Sequence, residues 1–138
     1  MAVVSLIVME PGSEWPGHVG VSENVVAIGH HDERLLERTR QRLDSLRQRG
    51  DHVRVAVLAC NEATDDASVA SRKEVAQELA SAVAATRFGR LVLSAAERAS
   101  VQLRHGLISL AGALSNELRG TSVWVRFTGT GAGPRDAR

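Results

Sequence analysis

The sequence predicts an α/β domain in three layers, a mostly parallel sheet of about five strands with helices on both faces. Three observations predict it. Strand-like and helix-like segments alternate from residue 25 onward, an order that right-handed crossovers turn into a parallel sheet. Three strand-like runs are nearly continuous in apolar residues, as strands covered on both faces are. Residues 91–127 read as strand, long apolar helix and strand with no proline to interrupt them. Together these describe a Rossmann-like domain.

The elements follow in order. AVVSLIVM at 2–9 is a β-branched-rich run and predicts a buried strand. Pro11-Gly12-Ser13-Glu14-Trp15-Pro16-Gly17 breaks regular structure repeatedly and predicts a loop too short for a crossover helix. The first strand is therefore expected to run antiparallel to the second, or to lie at the sheet edge. Val25 to Ile28 is the second strand, ending at Gly29. Asp32 and Glu33 then open a helix over about 32–48, where their charge complements the positive end of the helix dipole. Its apolar stripe is narrow (Leu35, Leu36, Leu43, Leu46), its remaining positions are mostly charged or polar, and Gly50 ends it.

Val53 to Ala59 is the third strand, followed by Cys60-Asn61 and a polar loop. Asp65, Asp66 and Ser68 are the candidate caps of a helix over about 67–87 that turns Val69, Ala76, Leu79, Ala80 and Val83 inward and closes at Gly89. Leu91 to Leu93 is the fourth strand, a helix over 98–119 ends at Gly120, and Val123 to Phe127 is the last strand. Residues 1–127 thus form one domain, and the Gly-rich tail 128–138, with nothing to bury, is expected to be disordered.

The helix over 98–119 stands apart. Its apolar residues, Val101, Leu103, Leu107, Ile108, Leu110, Ala111 and Leu114, wrap most of the circumference and need cover on two sides. The sheet supplies one cover. A neighbouring helix or a second copy of the chain must supply the other, with Gly106, Ser109, Gly112 and Ala113 allowing close approach, and the expected contact with a second copy runs through Leu103, Leu107, Leu110, Ala111 and Leu114. A homodimer is the expectation.

Composition narrows the function. A net charge of +1, from 17 basic and 16 acidic residues, supplies no field that would draw the chain to nucleic acid or to a membrane surface, and neither is expected as a partner. The single cysteine, Cys60, excludes an internal disulfide and a multi-cysteine zinc site, and fits a reducing cytoplasm. No apolar run is long enough to span a bilayer, and the opening residues lack the basic region of a signal peptide, so a cytoplasmic location is expected. The chain has no tyrosine, which excludes a tyrosine acid or base, and neither a Gly-rich dinucleotide loop nor a Walker loop follows a strand. No cofactor is expected.

In a doubly wound sheet ligands bind beyond the carboxyl ends of the strands, where strand order reverses. That rule converts the fold into a residue list: His30, His31, Cys60, Asn61 and Ser94, with Arg104 from the following helix. Adjacent imidazoles beside Asp32 could transfer protons or bind a metal, although consecutive side chains diverge at a strand end and solvated histidines are the plainer reading. Cys60 stands between a strand and a helix N-terminus, where a nucleophile would stand; a small core residue is the plainer reading there too. The Arg-rich helix over 32–48 also holds Glu33, Glu37 and Asp44 and no aromatics, so it reads as a solvated face.

Gly89-Arg90-Leu91-Val92-Leu93-Ser94 and the run Ala113-Leu114-Ser115-Asn116-Glu117-Leu118, leading to Val123-Trp124-Val125, resemble the C-terminal half of short-chain dehydrogenase/reductases. The likeness extends over about residues 25–127. It implies that Ser94 occupies the place of the family's catalytic serine or its neighbour, and that the family's Tyr-x-x-x-Lys positions fall near Ser100 and Arg104. A serine hydroxyl is too weak an acid to replace a tyrosine, and a guanidinium does not reproduce a compact ammonium. The chain is also about one βα unit too short, and that unit would carry the cofactor loop. The resemblance therefore implies a truncated, non-catalytic relative that keeps the family's helix-mediated dimer contact. The expected function is a non-catalytic Rossmann-like binding or scaffolding module, self-associating through helix 98–119 and working beside a larger reductase-like or biosynthetic protein. The alternative is a nucleotide or small-ligand sensor, or a minimal oxidoreductase, using the strand-end cluster.

Overall fold

The computed structural model describes residues 2–16, 25–28, 34–118 and 121–128. Five strands, β1 (Val3–Met9), β2 (Val25–Ile28), β3 (His52–Ala59), β4 (Arg90–Ala96) and β5 (Ser122–Thr128), form one sheet in the order β2-β1-β3-β4-β5. All four pairings are parallel. Three helices connect them: α1 (Leu35–Gln48) between β2 and β3, α2 (Asp66–Ala84) between β3 and β4, and α3 (Val101–Glu117) between β4 and β5. The Rossmann-like α/β class expected from the sequence is the one found.

The first strand is placed differently from the expectation. β1 lies inside the sheet between β2 and β3, parallel to both, with a register irregularity between Val4 and Ser5. Its composition explains this, because Leu6, Ile7 and Val8 are buried on successive, opposite faces, the signature of a central parallel strand. Residues 10 to 24 reach the dozen or so that a parallel return needs, and no helix occurs among those of them that are described.

The helices also distribute differently. Stepping from β2 to β3, β3 to β4 and β4 to β5 moves the same way across the sheet each time, so right-handed crossovers bring all three helices to one face. The core agrees: Leu6, Val8, Ala56, Leu58, Leu91, Leu93 and Ala95 from the strands join Leu35, Leu43 and Leu46 of α1, Val75, Leu79 and Val83 of α2, and Leu103, Leu107 and Leu114 of α3 in one cluster. The opposite face carries a smaller cluster of Ile7, Val55, Val57 and Val92 with Met9 against it, and no residue of a described helix belongs to it.

Helix ends follow local chemistry. Asp65 caps α2, its carboxylate accepting hydrogen bonds from the Ser68 backbone N–H and hydroxyl, and Ser100 caps α3 by accepting from the Leu103 N–H. Gly50 takes a φ of +76° after α1, as a glycine past a helix end does. Gly89 meets a different need: a Cβ there would lie 1.9 Å from the Val83 carbonyl oxygen. Gly120 and the tail beyond Thr128 fall outside the described residues.

Candidate functional site

Strand order reverses between β1 and β3, so the crevice at their carboxyl ends is where a ligand of such a sheet would sit. Two residues the sequence reading did not single out dominate it. Glu10, directly after β1, and Arg72, in the second turn of α2, form a buried bidentate ion pair with Nε to Oε2 at 2.8 Å and Nη2 to Oε1 at 2.7 Å. Their side chains are only 9% and 5% exposed. Burial alone would push the guanidinium's pKa down, but the hydrogen bonds and the charge of Glu10 outweigh it and hold it above its ordinary value.

Asn61 completes the cluster. Its backbone N–H donates to Glu10 Oε1 at 2.9 Å and its Nδ2 to the Pro11 carbonyl at 2.7 Å, while its Oδ1 accepts from the Ala63 N–H and from Arg72 Nη2. The same Nη2 also donates to the Asn61 and Ala63 carbonyls. One guanidinium thus ties the loop after β1 to the loop after β3. Beside it opens a crevice of about 270 Å³, lined in part by Glu10, Asn61, Ser68, Ser71 and Arg72.

The residues named from the sequence scatter. His30 and His31 lie outside the described residues. Asn61 is in the cluster. Cys60 is adjacent but sealed, 4% exposed with its thiol directed at the Leu58 carbonyl, and burial drives its pKa far above the ordinary thiol range, against the activation expected of a helix-end nucleophile. Ser94 is 1% exposed and, by strand alternation, points to the face opposite the helices. Arg104 is on the helix face, its guanidinium bonded to the Ala99 and Glu97 carbonyls and stacked 4.3 Å from the Phe127 ring. Ser94, Ser100 and Arg104 therefore do not converge.

Two arginines and two helix N-termini at this edge are answered from within. Arg72 is paired with Glu10, Arg104 is held by carbonyls, the α2 N-terminus is capped by Asp65, and the Ser100 N–H at the start of α3 donates to the Glu62 carboxylate. A nucleotide or acidic metabolite would have to displace these partners. Among the described residues no group of three His, Cys, Asp or Glu could hold a metal ion.

Arg72 left a trace in the sequence. It lies three, four and seven residues before Val75, Ala76 and Leu79, on the buried stripe of α2. A lone arginine on an apolar stripe calls for a buried carboxylate, but Glu10 is 62 residues away in the chain, and nothing local names it. Val69, expected to be buried, is 46% exposed because it flanks the side of α2 that faces α3.

The expected self-association surface needs correction as well. Leu103, Leu107, Ala111 and Leu114 are buried against this subunit's own sheet and are not available to a second copy, and Leu110 is half-buried on the side toward α2. What α3 presents outward is Val101 at 65% and Ile108 at 56% exposure, with His105, Gly112, Ser115 and Asn116. No protein-family model, no curated protein and no solved structure matches the chain. Among the described residues, no helix is long and apolar enough to cross a membrane.

Proposed function

We propose that this chain is a non-catalytic binding or scaffolding module that self-associates through the outer face of α3. The observation that carries this reading is the missing charge on that face. From Val101 to Asn116 every exposed position is Val, Gln, His, Gly, Ile, Ser, Ala or Asn, the one arginine, Arg104, is folded back over Phe127, and the one exposed fixed charge of the helix is Glu117 at its last position. Water-facing helices normally carry charge along the outer face, and an uncharged stripe with exposed Val and Ile marks a surface that another surface covers. The helix is thus two-sided, with its leucines serving the sheet and Val101, Ile108 and Gly112 left to a partner. A two-fold contact between copies uses one patch twice and needs no second specificity.

The non-catalytic half of the proposal rests on the strand-end chemistry. Its thiol is sealed, Ser94 is buried, Ser100 caps α3, and Arg72 and Arg104 are held by internal partners. Light scattering on the eluting chain tests the proposal: the wild type should run at twice the 14.8 kDa chain mass at micromolar concentration and Ile108→Asp at the chain mass. A monomeric wild type would overturn it.

A further inference from the structure

We propose that the groove between α2 and α3 is a binding site for an organic molecule with an aliphatic body and a single carboxylate head. The groove has a volume of about 470 Å³, within the range of small-molecule sites. Val69, Gly106, Leu110 and Ala113 line it, over a floor at Leu103. Its chemistry is asymmetric: Arg72 and Lys73 line it and no carboxylate does. The Arg72 charge is matched by Glu10, whereas Lys73, the only lysine of the chain, makes no ion pair among the described residues. One uncompensated cation beside an apolar trough is complementary to one anionic head on an apolar body.

Gly106 leaves one wall of the groove without a side chain. A glycine inside a helix is destabilising relative to alanine, and here the fold does not demand one, since a Cβ at 106 would meet nothing within 4 Å. The residue keeps open a space that the chain's own packing leaves empty. The groove lies on the flank of α3 toward α2, beside the outer face proposed for self-association and sharing Gln102, Gly106, Ser109 and Ala113 with its uncharged positions; Lys73 and the wall supplied by α2 belong to the groove alone.

Calorimetric titration of the full chain with octanoate, 1-octanol and octylammonium tests this. Octanoate should saturate at one per chain, with the alcohol and the ammonium at least about tenfold weaker, the scale of one charge-assisted hydrogen bond. Lys73→Gln should bring octanoate and octanol to equal affinity. Gly106→Leu should abolish octanoate binding with the melting temperature unchanged or raised; if that variant melts lower, the exposed Lys73→Gln alone decides. Absence of saturable octanoate binding, equal binding of all three probes by the wild type, an octanoate preference that survives Lys73→Gln, or full binding by a stably folded Gly106→Leu would overturn the proposal.

Discussion

α1 and α3 flank α2 on the same face of the same sheet, with inner faces built alike and outer faces built as opposites. The buried residues of α1 are Leu35, Thr39, Leu43 and Leu46, and those of α3 are Leu103, Leu107, Ala111 and Leu114, so both helices seat on the sheet with the same i, i+4, i+8, i+11 spacing. Outside, α1 exposes Glu37, Arg38, Arg40, Asp44 and Arg47, whereas the one exposed residue of fixed charge on α3 is Glu117, at its last position. The inner stripe of a helix thus reports only that it packs on its own sheet. Whether anything else packs on it is written on the other side.

The largest expected effect concerns α2, the helix between the two, where a charge takes a core position. Arg72→Met leaves Glu10 buried without its partner and should cost about 3–5 kcal/mol in denaturant unfolding, while adding Glu10→Leu should recover most of the loss. Full stability in the single variant would show that the pair is not the tie between the two strand-end loops.

Next come the matched inner faces: Leu46→Ala and Leu107→Ala should each cost about 2–5 kcal/mol, since both side chains are 1% exposed. If Leu107→Ala instead left the unfolding midpoint unchanged, the inner faces of α1 and α3 would not be equivalent. On the outer faces the expected effects diverge. The melting temperature of the wild type and of Gln48→Asp on α1 should rise with protein concentration, as it does for a self-associating protein, and that of Ile108→Asp should not. The smallest effect is on the charged face of α1, where Arg47 meets Asp44 at 3.0 Å with both side chains well exposed. Arg47→Ala should lower stability by at most about 0.5 kcal/mol, and by nothing measurable in molar salt.

Much of the fold was legible because alternation is local. Each strand and helix could be read from its own apolar pattern, and the alternation implied a parallel sheet. The position of β1 was not legible from loop length, although its two-sided apolar run carried the signal that it is central. Nor was the gathering of the helices on one face, which depends on strand order and hence on pairings between distant segments. The candidate site was legible only at Asn61. Cys60 had both readings open, and burial decided for the structural one. Arg72 was visible as an interruption of a buried stripe, but its partner Glu10 joins it only through the fold. On α3 the small and apolar outward residues were visible in the sequence, yet helical periodicity without the sheet could not say which apolar side faces inward. The leucines are the larger apolar side chains of the helix, and the sheet claims them.

The outer face of α3 can be watched directly, because the chain has three isoleucines, of which Ile7 and Ile28 are buried and Ile108 is exposed. In a ¹³C-methyl-isoleucine spectrum followed by dilution from high to low micromolar concentration, the Ile108 signal should shift or broaden while the signals of Ile7 and Ile28 stay fixed. An Ile108 methyl that keeps one sharp, unmoving signal across the series, in a chain that sediments at its own mass, would contradict the account.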